Sequence, residues 1–87
     1  MSPDPIPVTL SPRVRLYTRT NCHLCEVARA DLERICGDLA VAFDAVDVDT
    51  DPELRAEYGD RVPVIMVDAR EHGCFSVDEP RLRAALR

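Results

Sequence analysis

The sequence predicts an α/β fold in the order β-α-β-α-β-β-α, with a single four-stranded mixed sheet carrying helices on both faces. Three observations lead there. Val14 and Leu16 alternate with Arg13, Arg15 and Tyr17, as in a strand with one buried side, and apolar runs recur at residues 41–48 and 64–67. Between the first two of these, Leu24, Ala28, Leu32, Ile35 and Leu39 recur at the three-to-four spacing of a helix that buries one face. Two further helix starts follow, one at Asp51-Pro52-Glu53 and one at Asp78-Glu79-Pro80, each with an acidic cap and a proline in the first turn.

Taken in order, Met1 to Pro12 holds four of the seven prolines and is expected to be a flexible tail, leaving residues 13–87 as one domain. The first strand spans Arg13 to Thr18 and runs into polar Arg19, Thr20 and Asn21. The first helix is predicted from Cys22 to Cys36, stopping at Gly37, where a left-handed residue commonly ends a helix. Val41 to Val48 reads as a second strand, parallel to the first because a helix intervenes. Pro52 to Tyr58 is a short helix with Leu54 and Tyr58 as its buried contacts, ending at Gly59. Val64 to Val67 is an interior strand, Asp68 to Glu71 a turn, and His72 to Val77 the last strand. Asp78 then caps a helix whose Leu82, Ala85 and Leu86 face inward. Pro63 allows two readings: a proline at the first strand residue, where no ladder donor is needed, or a cis bond after Val62 that bends the chain.

The chemistry is concentrated in Thr20-Asn21-Cys22-His23-Leu24-Cys25. Two thiols three residues apart sit where a strand and loop give way to a helix. Unpartnered N–H groups and the positive end of the helix dipole favour a thiolate at Cys22, and Arg19 can add positive charge nearby. Cys25 lies one turn on, close enough for a disulfide to close. Cys22 is therefore the candidate nucleophile, and Cys25, expected to be the more buried and less acidic, the resolving thiol. Such a pair is also half of a zinc site, and the chain holds Cys36, Cys74, His23 and His72. No second pair at ligand spacing exists, and the strand-before, helix-after setting favours redox chemistry. No metal or resident cofactor is assigned. Cys36 reads as a small core residue beside the apolar stripe.

The remaining composition narrows the partners. A net charge of −5 argues against nucleic acid. The early residues lack a basic start and an unbroken apolar segment, and no run elsewhere approaches a membrane span. A cytoplasmic protein, monomeric and away from membranes, is expected. All eleven basic residues are arginine, which reads as a coding bias of the source.

Leu16 to Cys25, with Val62-Pro63 before the third strand, resembles the glutaredoxin-like family of the thioredoxin fold. The resemblance covers roughly Val14 to Leu86. It implies a thiol-disulfide oxidoreductase acting on protein or low-molecular-weight mixed disulfides through Cys22 and Cys25. It also implies that Val62-Pro63 is cis, with the Val62 backbone pairing with an extended substrate or glutathione. Arg19 matches the region of the family's carboxylate-binding cation, and Gly73 and Cys74 fall where its glycine pair stands, so Arg19, Val62, Pro63, Gly73 and Cys74 are the implied substrate contacts. The implied reductant is glutathione, another low-molecular-weight thiol or a flavoprotein reductase. Two departures stand out: His23-Leu24 replaces the proline-aromatic pair between the cysteines, and Cys74 replaces the second glycine. Cys74 reads as filler or as a third thiol near the site. Two alternatives stand beside this: an iron-sulfur cluster or metal held between two chains through Cys22, as in some members of the resembled family, and a thioredoxin-fold interaction module whose thiols do not turn over.

Overall fold

The computed structural model describes residues 12–87, so all of the expected tail but Pro12 lies outside the described residues. The elements follow the predicted order: β1 (Val14–Thr18), α1 (His23–Leu39), β2 (Phe43–Asp47), a 3-10 turn (Val48–Thr50), α2 (Pro52–Tyr58), β3 (Val64–Val67), β4 (Arg70–Cys74) and α3 (Glu79–Ala85). They form one mixed sheet in the order β2-β1-β3-β4. β1 pairs parallel with β2 and antiparallel with β3, and β3 pairs antiparallel with β4. The parallel pair is the one joined through a helix, as short connections require.

Strand alternation divides the core in two. Val14, Leu16, Ile65 and Val67 point to the face covered by α1 and α3, where they meet Ala28, Leu32, Ile35, Cys36, Leu82 and Leu86. Tyr17 and Val64 point the other way and pack with Val48, with Leu54 and Tyr58 of α2 half-buried against them. The Tyr17 and Tyr58 rings stack there with centroids 4.3 Å apart. Fully burying side chains the size of Leu16, Leu32 and Ile65 contributes roughly 1.5–3 kcal/mol each.

Several predicted boundaries move, each for a physical reason. α1 does not stop at Gly37; it runs through it to Leu39, and Ala40 takes the left-handed conformation at φ 56°. The N–H of Ala40 bonds the Gly37 carbonyl and that of Val41 the Cys36 carbonyl, a Schellman ending built on alanine. Leu39 packs on the core, and that contact outweighs the glycine signal. β2 is shorter than predicted because the Asp47 side chain accepts the Asp49 N–H at 2.8 Å and turns the chain into the 3-10 segment. β4 begins two residues early because Asp68 and Ala69 alone make the hairpin turn, at φ 51° and 68°. It also ends early, since Phe75 at φ 73° leaves the extended region. Leu54 and Tyr58 are half-buried, so α2 contains no fully buried residue. The Val62–Pro63 bond is cis, in agreement with the second of the two readings of Pro63.

Candidate active site

The dithiol sits where β1 hands over to α1. Asn21, at φ 62°, adopts the left-handed conformation that asparagine tolerates better than most residues and swings the chain back toward the helix. Cys22 follows in extended conformation as the N-cap of α1. Its Sγ accepts the backbone N–H of Cys25 at 3.3 Å, a role that serine or aspartate usually fills. That bond satisfies one of the amides left open at the start of the 17-residue helix. Two side-chain links pin the loop to the end of β2: Thr20 Oγ1 donates to Asp47 at 3.1 Å, and Arg19 pairs with Asp49 at 3.0 Å.

The two thiols differ in environment. Cys22 is half-buried, whereas Cys25 is only 2% exposed. Burial raises the pKa of the Cys25 thiol above its ordinary value and the bond to Cys22 adds to the rise, while Thr18 and the Arg19 backbone pull the other way. Cys25 is the protonated, sheltered partner in the reduced state. A crevice of about 340 Å³, lined in part by Thr18, Cys25, Glu26, Arg29 and Asp47, opens beside it. Cys36 is buried in the core, and burial alone raises its pKa. It is a packing residue.

The sheet register brings the other predicted residues to the same end. Tyr17 lies opposite Val64, so the next residues outward are Thr18, which leads to the dithiol loop, and cis Pro63. Neither the N–H nor the C=O of Val62 has a hydrogen-bond partner among the described residues. Cys74 lies opposite Val64, Gly73 opposite Ile65, and the Phe75 N–H donates to the Pro63 carbonyl at 2.8 Å. Cys74 is half-buried and packs with the Tyr17, Val48 and Val64 cluster on the α2 side.

Arg19, expected to add positive charge near the dithiol, is paired. Its guanidinium is held by Asp49 and also donates to the Gly59 carbonyl at 3.4 Å, bracing the loop against the 3-10 turn and the end of α2. The sequence reading missed Asp49 as its partner, Thr18 as a neighbour of Cys25, and Phe75. Thr18 was legible as the last residue before the polar loop; Phe75 carried no signal, because an aromatic residue in a left-handed conformation is not expected. Among the described residues no three His, Cys, Asp or Glu side chains gather as a metal-ligand set, and no helix is long and apolar enough to cross a membrane.

Comparison with known proteins agrees with this geometry. An uncharacterized protein of Mycobacterium tuberculosis is 42% identical over 78 residues, which cover 84% of this chain and 80% of that protein. A structural genomics target from X. campestris is 42% identical with a TM-score of 0.68, covering 84% of this chain and 93% of the other. Protein Ne2328 of Nitrosomonas europaea is 27% identical with a TM-score of 0.75 and full coverage of both chains, 100% each way. Glutaredoxin C1 of populus tremula x tremuloides, at 16% identity and a TM-score of 0.55 over 90% of this chain and 86% of its own, shares the fold. Residues 13–87 match the Glutaredoxin-like domain, and with that match spanning the whole sheet and every helix the chain belongs to the glutaredoxin-like family of the thioredoxin fold.

Proposed function

We propose that the protein is a thiol-disulfide oxidoreductase in which Cys22 attacks and Cys25 resolves. The observation that carries this reading is the asymmetry of the pair: a half-exposed Sγ capped by an amide at a helix start, followed one turn on by a buried, protonated thiol. The Cys22 thiolate attacks one sulfur of the substrate disulfide. That S–S bond breaks, its electron pair leaves on the other sulfur as a thiolate, and a mixed disulfide remains on Cys22. Cys25 then loses its proton and attacks Cys22 Sγ, expelling the second substrate thiolate. The substrate has gained two electrons and the protein holds a Cys22–Cys25 disulfide.

The N–H and C=O of Val62, which have no partner among the described residues, are the backbone groups we assign to an extended substrate. A low-molecular-weight thiol such as glutathione, or a flavoprotein reductase, resets the pair. The reading includes a monomer in the cytoplasm, where thiols are kept reduced.

The test is trapping. With a disulfide-containing protein or peptide, Cys25→Ser accumulates a stable mixed disulfide on Cys22 that mass spectrometry localises, while Cys22→Ser forms none and loses turnover by more than about a thousandfold. Turnover that survives Cys22→Ser sinks the reading.

A further inference from the structure

His72 stands at an irregular point of the sheet. Ile65 lies opposite Gly73 and Met66 opposite Glu71, so His72 is the extra residue of a β-bulge, with no partner across the ladder. The residue is half-buried, and its Nε2 is buried with no hydrogen-bond partner among the described residues. Buried nitrogens of this kind usually find a partner, and one left without costs free energy. A neutral ring limits that cost, because it can keep its one proton on Nδ1 and leave Nε2 as a bare lone pair. The imidazolium has no such choice. It carries an N–H on both nitrogens, so protonation puts a charged donor where no acceptor stands.

The surrounding charges do not compensate. From α3, Arg81 donates to the His72 carbonyl at 2.6 Å and repels a positive ring, while Asp78, the cap of that helix, attracts one. Asp68 of the hairpin turn and Arg70 and Glu71 of β4 share with His72 and Ala85 a groove of about 470 Å³. Asp68 is paired with Arg13 and Glu71 with Arg61, and Arg70 is a cation with no carboxylate partner among the described residues. From β3 the groove receives only apolar Val67. Burial first and Arg81 second hold the His72 pKa below its ordinary 6.5, and Asp78 pulls the other way.

We propose that His72 is an acid-sensitive latch between β4 and α3, which seats the bulge against the helix while neutral and opens that seat when protonated. Opening lets the imidazolium reach water, so uptake of a proton favours the open form. Because the folded ring binds its proton more weakly than the open one, opening becomes easier as pH falls through about 6.5 and levels off once the folded ring is protonated too. The latch does not depend on the thiol-disulfide reading. It acts on the strand that carries Cys74 opposite Val64 and passes to Phe75, whose N–H holds the carbonyl of cis Pro63.

The experiment follows the reduced full-length chain by NMR between about pH 7.5 and pH 5, above the range where most carboxylates titrate. The chain has two histidines, so His23→Gln, at an exposed position, identifies the His72 ring signal. Amide hydrogen exchange, corrected for its intrinsic pH dependence, gives opening constants for the amides of Phe75 and Leu82, with that of Leu32 in α1 as reference. The His72 ring is expected to titrate below 6.5. The Phe75 and Leu82 opening constants should rise toward pH 5, by at most about tenfold per pH unit for a single proton, without Leu32 following. His72→Phe, similar in shape and without a titrating nitrogen, should abolish the rise, and His72→Gln serves if the first variant does not fold. The latch is overturned by a ring that titrates at or above 6.5, a measurement that needs no substitution at His72. Opening constants that stay flat, a rise shared equally by Leu32, or a rise that survives in the folded variant overturns it as well.

Discussion

The two halves of α1 are made to opposite specifications. The rear half, from Asp31 to Leu39, buries Leu32, Ile35 and Cys36. It is also bound to α3 through ions: Arg34 makes a two-pronged pair with Glu79 at 3.0 Å on each arm, and Arg83 joins Glu79 at 2.9 Å and Asp38 at 2.8 Å. The front half buries only Cys25 and Ala28, exposes Leu24 and Val27, and makes no ion pair among the described residues. One helix thus separates anchoring from presentation along its length. Most of the helix's buried contacts and all of its ion pairs among the described residues lie two turns behind the dithiol, while the loop ahead of it is held by the Thr20–Asp47 and Arg19–Asp49 links.

This contrast can be broken or sharpened by substitution. Leu32→Ala, in the rear half, is expected to destabilise the protein by about 2 to 5 kcal/mol in urea unfolding, through lost transfer free energy and the cavity left behind. Leu24→Ala, eight residues earlier on the same helix, should stay within about 0.5 kcal/mol. Comparable losses from the two would erase the distinction.

A smaller effect is expected at the rear terminus. Ala40→Gly relieves a left-handed alanine that costs roughly 1 to 2 kcal/mol, partly offset by glycine's unfolded-chain entropy, so thermal unfolding should show a gain of about 0.5 to 1 kcal/mol. Gly37→Ala is its companion, because a Cβ at Gly37 meets nothing within 4 Å. It should add about 0.5 to 1 kcal/mol by helix propensity.

The smallest effect is electrostatic. Bonds from Arg34 and then Arg83 lower the Glu79 carboxyl from 4.5 to about 2. A folded value below the unfolded one means the contribution is complete above pH 4.5 and is lost as pH falls from there through about 2. Unfolding midpoints compared between about pH 5 and pH 2.5 should fall less in Glu79→Gln than in the native chain, with the difference shrinking in high salt because the network is exposed. Identical pH dependence in both would show that the ions tie nothing.

Much of this was legible before any coordinates. Periodicity identified β1 and α1, whose buried faces leave an alternating and a three-to-four pattern, while caps and prolines identified α2 and α3. The span of α2 was read correctly from Asp51, Pro52 and Gly59, where capping chemistry and the fold agree. The misplaced boundaries are those where tertiary contacts overrode a local signal. Gly37 lost to the packing of Leu39, and the β4 boundaries moved because Asp68, Ala69 and Phe75 take positive φ without being glycine. At the site, Cys22 and Cys25 were legible from spacing and setting alone. The pairing of Arg19 with Asp49 was not, since thirty residues of chain separate the partners and only the parallel β1–β2 register brings them together.

Under the proposed thiol-disulfide reading, the sulfur cap on α1 ties the electron chemistry to the folding equilibrium. In the reduced chain Cys22 Sγ accepts the Cys25 amide and closes the helix end; in the disulfide the same sulfur is spent in a covalent bond and offers a weaker acceptor. Around a thermodynamic cycle, any difference in unfolding free energy between the two forms equals the difference in reduction potential between the folded and the unfolded chain. Whatever the cap adds to the reduced state therefore makes the folded pair a stronger oxidant. Paired denaturation curves, one with reductant and one without, would measure how far folding shifts the potential of the pair from that of the unfolded chain, with no substrate present.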